Sequence, residues 1–272
     1  MEKSIKGEVM FVLENEKVKI IRKGKVAYLQ FNKLLEYQDK IVHAYTLKEN
    51  GASYESNDGT NYRQLCDALE IDDKKLISIK EQIHSQFVEC VEDEKKVYTK
   101  IDGLITNKKE IALSLRFADC TPLFLYDPIH NVIGNIHSGW KGTTKKIARE
   151  AVKKMKEVYN TNPKELICCI GPCIRKCHFE VQDDVKEIFE QVFKESKLWE
   201  VAIEKGKFID GKQKYTIDTT LLNKEMLLQE GLKEENIIDS GICTVCHSDK
   251  FHSYRVEREK AGRNTAIIGL KK

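Results

Sequence analysis

No apolar run in this chain approaches the roughly 20 residues a helix needs to cross a bilayer, so no membrane partner is expected. Proline is scarce, with four in 272 residues, and none sits with serine in a linker. With no repeat, low-complexity tract, composition break or charge block to divide it, residues 1–272 are expected to form a single catalytic domain. An excess of charge of one sign is also missing. The 46 basic and 43 acidic side chains leave a net charge of +3, too little to draw a polyanion, so no nucleic-acid partner is expected. Nine cysteines are present, yet the segment Met1 to Gly7 has neither an uninterrupted apolar core nor a small-residue cleavage site. Free thiols in the cytoplasm are therefore the expectation. A chain of this length buries most of its surface, so neither disulfides nor metal need hold the fold together.

Hydrophobic periodicity predicts strands at Glu8–Leu13, Val26–Phe31, Ile41–Tyr45, Leu76–Ile79, Phe87–Val91, Ile111–Leu115, Pro122–Tyr126, Val132–Ile136, Leu166–Ile170 and Thr265–Leu270. Helices are predicted over Asn61–Leu69, Thr143–Val158, Asp183–Phe193 and Thr219–Glu230, and a turn within Ile101–Thr106. Strands and helices mix without a strict βαβ cadence, which favours α+β over a doubly wound parallel sheet.

The chemistry concentrates in two segments, Ala118-Asp119-Cys120-Thr121-Pro122 and His137-Ser138-Gly139-Trp140-Lys141-Gly142. Cys120 and His137 fall at the ends of neighbouring predicted strands, where a short hairpin brings them together across sixteen intervening residues. With His84, whose spacing by itself says least, they could make a His/Cys/His metal site. Two imidazoles and a thiolate suit tetrahedral zinc and leave its fourth position for water or substrate, as in a catalytic rather than a closed structural site. The same ligands accept copper. Asp119 is the nearby carboxylate for moving protons, although a strand would turn it away from Cys120, which fits orienting better than transferring. Asp102 reads as the end of a strand at a turn. Trp140 reads as closing a core more than as stacking on a ligand, and Gly139 and Gly142 as punctuation between strand and helix.

Other readings stand beside this one. Cys120 and His137 could be a thiol nucleophile and its base, as in a hydrolase or amidase. Cys243-Thr244-Val245-Cys246-His247 spells the attachment pattern of c-type haem. Cys169, Cys173, Cys177, Cys243 and Cys246 could build a second metal centre or a redox switch, but they do not form two clean C-x-x-C knuckles, which favours buried thiols and leaves a purely structural metal module as the non-enzyme alternative. A cluster of several coppers is poorly served by seven histidines with no H-x-H pair.

The segments Gln82-Ile83-His84, ADCTP, HSGWKG, Cys169-Ile170-Gly171-Pro172-Cys173-Ile174, Cys243-Thr244 and Ser253-Tyr254-Arg255 occur in the order seen in the YfiH family, which the chain resembles from about His43 to Leu270. That family carries an old polyphenol oxidase, laccase-like label and is associated with purine nucleoside phosphorolysis and adenosine deamination. The resemblance implies a four-layer α/β/β/α fold with mixed sheets packed together and helices outside. It implies a zinc-dependent purine nucleoside phosphorylase using His84, Cys120 and His137, with adenosine, inosine, 5′-methylthioadenosine and phosphate as substrates. It also implies Arg255 and Arg263 as substrate contacts. Lys141 stands where the family often has arginine, which keeps the charge but loses the bidentate fork.

Overall fold

The computed structural model describes residues 13–55 and 59–272, so the predicted strand Glu8–Leu13 lies, but for Leu13, outside the described residues. In chain order the strands are β1 (Val18–Lys23), β2 (Val26–Phe31), β3 (Ile41–Thr46), β4 (Leu76–Ser78), β5 (Val88–Cys90), β6 (Gly103–Thr106), β7 (Ala112–Phe117), β8 (Thr121–Asp127), β9 (Val132–Ser138), β10 (Ile167–Ile170), β11 (Glu180–Val181), β12 (Ile203–Ile209), β13 (Lys212–Ile217), β14 (Ile237–Asp239) and β15 (Asn264–Leu270). They make two six-stranded sheets, ordered β1-β2-β3-β15-β7-β4 and β14-β10-β8-β9-β6-β5, and a three-stranded sheet, β11-β13-β12. Both large sheets are mixed: β4 runs parallel to β7, and β5 to β6, while β8 and β9 are antiparallel.

The two-residue period of the strands builds the layers. Leu29, Tyr45, Leu113, Leu115 and Ile268 of the first large sheet meet Leu104, Phe124, Tyr126 and Ile133 of the second in one buried cluster. The alternate residues Tyr28, Ala44 and Ile267 face outward onto Tyr62, Leu65 and Leu69 of the helix Thr60–Leu69. On the far side Leu123, Leu125 and Ile136 pack against Ala151, Val152 and Met155 of the helix Ile147–Tyr159, and against Leu222 and Met226 of the helix Thr219–Gln229. The result is the α+β, four-layer arrangement. Burying each large apolar side chain contributes about 1.5–3 kcal/mol relative to exposure, so apolar burial suffices to hold the sheets together.

Two local expectations are corrected. The predicted turn within Ile101–Thr106 is β6, buried throughout between β5 and β9. Gly103 is there for packing, because a Cβ would lie 2.8 Å from Ile136 Cδ1 and from Val88 Cγ2. The helix expected over Thr143–Val158 is broken at Lys146, whose φ of 64° is left-handed, giving Trp140–Thr144 and Ile147–Tyr159. The strands β1, β12, β13 and β14 had no clear signal. β1 and β12 are rich in lysine and mostly solvent-facing, and backbone pairing rather than apolar alternation defines them. Among the described residues no helix is long and apolar enough to cross a membrane.

One core residue makes stability depend on pH. His43 is buried on β3, and its Nε2 accepts the backbone N–H of Phe31 at 2.8 Å. Burial, reinforced by Lys19, pulls its imidazole down to about 3. A histidine held neutral in the folded state is protonated more readily in the unfolded chain, so stability is present in full above the ordinary value near 6.5 and is lost as pH falls toward about 3. Thermal unfolding between pH 7 and 4 should show this loss, and His43→Gln should flatten that slope; an unchanged slope would assign the acid sensitivity elsewhere.

Candidate metal centre and its cleft

Register brings the first two donors together. Thr121 pairs with Ser138 and Pro122 with His137, so Cys120, one residue before β8, lies beside His137 near the end of β9. His84 arrives from the connection between β4 and β5 with a left-handed φ of 58°. Its Nε2 lies 3.7 Å from Cys120 Sγ, and its ring centroid 4.9 Å from that of His137. One donor atom from each of the three falls within 4.8 Å of the others, and among the described residues no fourth His, Cys, Asp or Glu joins them.

Asp102 organises this set. It is fully buried, and its carboxylate accepts the N–H groups of Ile83 at 3.3 Å, His84 at 3.0 Å and Ser85 at 2.6 Å, and the Ser85 hydroxyl at 2.7 Å. Three consecutive amides wrapped on one anion hold the left-handed backbone at His84, a conformation that costs about 1–3 kcal/mol when unsupported. The same carboxylate lies 2.8 Å from His137 Nδ1, which leaves Nε2 for the centre. Burial pushes the Asp102 carboxyl up, but the hydrogen bond and charge of His137 and the Ser85 donors outweigh it and hold the group at about 2. The expected turn residue thus supports two donors at once.

Burial pushes the Cys120 thiol up too, yet the charge of His137 and hydrogen bonds from His137 and His84 bring it down to about 6. Burial pulls the His137 imidazole down, and the Cys120 thiolate and Asp102 raise it to about 9. A thiolate flanked by two imidazoles, one of them anchored through its outer nitrogen by a carboxylate, fits a divalent transition-metal ion with one position left open.

Gly139 is a requirement of the site rather than mere punctuation. Its φ is ordinary, at −70°, but a Cβ there would lie 2.5 Å from His84 Cδ2 and 3.1 Å from Cys120 Sγ. Gly139→Ala should displace the His84 ring and weaken metal binding by about 10–100-fold with the fold retained, as read by competitive zinc titration. Unchanged affinity would mean that the ring has room to move.

The three donors line a cleft of about 1100 Å3 that also receives Asp119, Arg116, Trp140, Tyr254, Arg255, Arg258 and Arg263. Asp119 does not sit in a strand: its φ is 80°, and β8 begins at Thr121. Its carboxylate accepts the Thr244 hydroxyl at 2.6 Å, the Ser253 hydroxyl at 3.0 Å and the Arg255 N–H at 2.7 Å, which ties two segments, at Thr244 and at Ser253–Arg255, to the rim. The Arg255 guanidinium donates to the carbonyls of His178 at 2.8 Å and Glu180 at 3.1 Å and lies 6.0 Å from the Phe179 ring. Arg263 donates to its neighbours Ala261 and Gly262 at 2.7 and 2.9 Å.

Lys141 does not line the cleft; it is exposed, with Nζ 5.5 Å from the Trp140 ring centroid. Trp140 both lines the cleft and packs 6.4 Å from Phe189. Sequence reasoning missed Arg116, whose guanidinium donates to the carbonyls of Glu55, Ile79 and Lys80, and Arg258. The available signal for Arg116 was a lone cation in the otherwise uncharged strand Ala112–Phe117. A second group of donors, Cys177, His178, Cys243 and Cys246, also converges, whereas Cys169 and Cys173 are buried in the core.

The family model described as multi-copper polyphenol oxidoreductase laccase matches residues 51–271. The chain belongs to this family. Among curated relatives, the Bacillus subtilis protein named purine nucleoside phosphorylase YlmD is 38% identical over 170 residues, which are 62% of this chain and 59% of that one. A Bacteroides thetaiotaomicron protein named purine nucleoside phosphorylase is 32% identical over 172 residues, 63% of this chain and 62% of that one. The match thus spans about three fifths of the length of these relatives. The crystal structure of Bacillus licheniformis hypothetical protein YfiH superposes with a TM-score of 0.80 at 26% identity, covering 93% of this chain and 99% of that one. YlmD from Geobacillus stearothermophilus shares the fold, with a TM-score of 0.80 at 24% identity over 93% of this chain and 99% of that one. For a laccase-labelled family the donors here are few: among the described residues the two converging groups hold three histidines between them.

Proposed function

We propose that this chain is a zinc-dependent purine nucleoside phosphorylase acting on adenosine, inosine and 5′-methylthioadenosine, and that the same centre deaminates adenosine. One observation carries the reading: a His/Cys/His donor set lacking a fourth protein ligand among the described residues opens onto a cleft rimmed by Arg116, Arg255, Arg258 and Arg263. The names of the relatives supply the substrate class. His84, Cys120 and His137 hold the metal. When bound, zinc supplies a Lewis acid at the reacting centre.

The chain's own groups do the rest. Phosphorolysis exchanges the bond between C1′ and the base for a bond to phosphate, so the cleft must hold an oxyanion while negative charge develops on the departing base. The arginines provide cationic donors for phosphate, and Trp140 and Tyr254 present aromatic faces to a purine. Asp102 keeps His137 in one orientation. Asp119, with its oxygens committed to Thr244, Ser253 and Arg255, holds the rim in place and is a positioning residue. Lys141 lies exposed beside Trp140 rather than in the cleft lining, so the phosphate donors are assigned to the arginines.

The test is to incubate metal-defined protein with adenosine and phosphate and to identify the products. Adenine with ribose 1-phosphate, and inosine with ammonia, are expected. No base release and no ammonia from any purine nucleoside would overturn the assignment. A thiol hydrolase is the second reading, favoured by the lowered Cys120 thiol at about 6 beside the raised His137 imidazole at about 9. Inhibition by a chelator with recovery on adding zinc separates the two, since a thiol nucleophile would keep its activity in zinc-free protein.

A further inference from the structure

On the loops behind the cleft, Cys177 and His178 face Cys243 and Cys246, and one donor atom from each lies within 4.8 Å of the others. Cys177 Sγ is 3.9 Å from Cys246 Sγ, and His178 Nδ1 is 3.2 Å from Cys177 Sγ, 3.7 Å from Cys243 Sγ and 3.5 Å from Cys246 Sγ. These are four of the six edges of a donor tetrahedron, and the other two fall within the same 4.8 Å. With Zn–S of about 2.3 Å and Zn–N of about 2.0–2.1 Å, ideal tetrahedral angles give S···S edges of about 3.8 Å and S···N edges of about 3.6 Å.

We propose that Cys177, His178, Cys243 and Cys246 form a second, closed zinc site with a structural role. The backbone around it is built for the purpose. Cys243 to Cys246 is a C-x-x-C turn closed by the His247 N–H donating to the Cys243 carbonyl at 3.2 Å. A parallel bridge between Cys173 and Cys243 carries that turn to the loop bearing Cys177 and His178. All nine cysteines are free, so no disulfide competes for these thiols. With four protein donors the ion has no vacancy for substrate, which separates it from the three-donor centre.

What the ion fastens follows from the neighbouring hydrogen bonds. Arg255 reaches the His178 and Glu180 carbonyls, and Thr244, next to Cys243, donates to Asp119. The ion therefore joins the stretch carrying Phe179, Glu180 and Val181 to the segment leading to Tyr254 and Arg255, two parts of the cleft wall that Arg255 also bridges through the His178 and Glu180 carbonyls. Its existence does not depend on the reaction proposed above.

Metal analysis of the full chain, purified with zinc under reducing conditions, tests the site without an activity assay. Wild type should hold two zinc ions per chain, and His84→Ala/Cys120→Ser, which loses the open centre, should retain one. Cobalt-loaded His84→Ala/Cys120→Ser should show strong thiolate-to-cobalt charge transfer, and Cys177→Ser/Cys246→Ser should lose most of that intensity. Should this second variant fail to fold, alkylation of wild type decides: Cys177 and Cys246, although exposed, should resist iodoacetamide until a chelator is added. A His84→Ala/Cys120→Ser chain without metal, equal alkylation with and without zinc, or Cys177 and Cys246 recovered as a disulfide would each overturn the proposal.

Discussion

Cys120→Ala is expected to lower kcat/KM for nucleoside phosphorolysis by about a thousandfold or more, equivalent to about 4 kcal/mol of transition-state stabilisation. The side chain supplies the set's only thiolate, and two imidazoles alone hold a divalent ion far more weakly. The fold should persist, because Cys120 is only partly buried and the apolar cluster between the sheets does not depend on it. His84→Ala makes the experiment decisive. In a metalloenzyme it is nearly as damaging as Cys120→Ala, whereas a Cys120 nucleophile with His137 as its base would tolerate it. Steady-state phosphorolysis with metal content measured on the same samples gives the answer, and full activity in His84→Ala would sink the metal-centred reading.

Asp102→Ala should cost about 3–5 kcal/mol of folding stability at neutral pH, because it leaves the buried Ser85 amide and hydroxyl, the buried His137 and the partly buried amides of Ile83 and His84 without their acceptor. Asp102→Asn keeps the volume and should weaken metal binding by about 10–100-fold, since an amide no longer balances the imidazole charge or fixes which nitrogen of His137 faces the centre. A carboxyl held at about 2, against an ordinary value of 3.8, adds stability that is fully present above the ordinary value and disappears as pH falls through about 2. The difference between wild type and Asp102→Asn in denaturant unfolding should therefore shrink on acidification below pH 4. A difference independent of pH would mean that the carboxylate charge is not what stabilises the loop.

The strands that carry the core were legible because their side chains alternate between two apolar environments, as in Leu113 and Leu115 against Ala112. The edge strand β1 and the hairpin β12–β13 were not, since these lysine-rich, mostly solvent-facing strands lack apolar alternation and are defined by backbone pairing with the strand that follows each in sequence. Gly103 misled for a related reason. A glycine required by the packing of Ile136 and Val88 looks, in sequence, like a glycine required by a turn.

The site divides along the same line. The amino-acid sequence alone named the candidate donors: Cys120 and His137 stand out because hairpin pairing ties them together through a short loop, and His84 joins them through the resemblance to the YfiH family. Only the tertiary structure decided what supports and surrounds them. Asp102 acts through amides of residues 83–85 and an imidazole 35 positions away, and Cys243 meets His178 across 65 positions. Such roles come from distances in space, which sheet register and loop closure set and which no local pattern of residues encodes. Lys141 is the converse case, placed by sequence beside the reacting groups and by the fold outside the cleft.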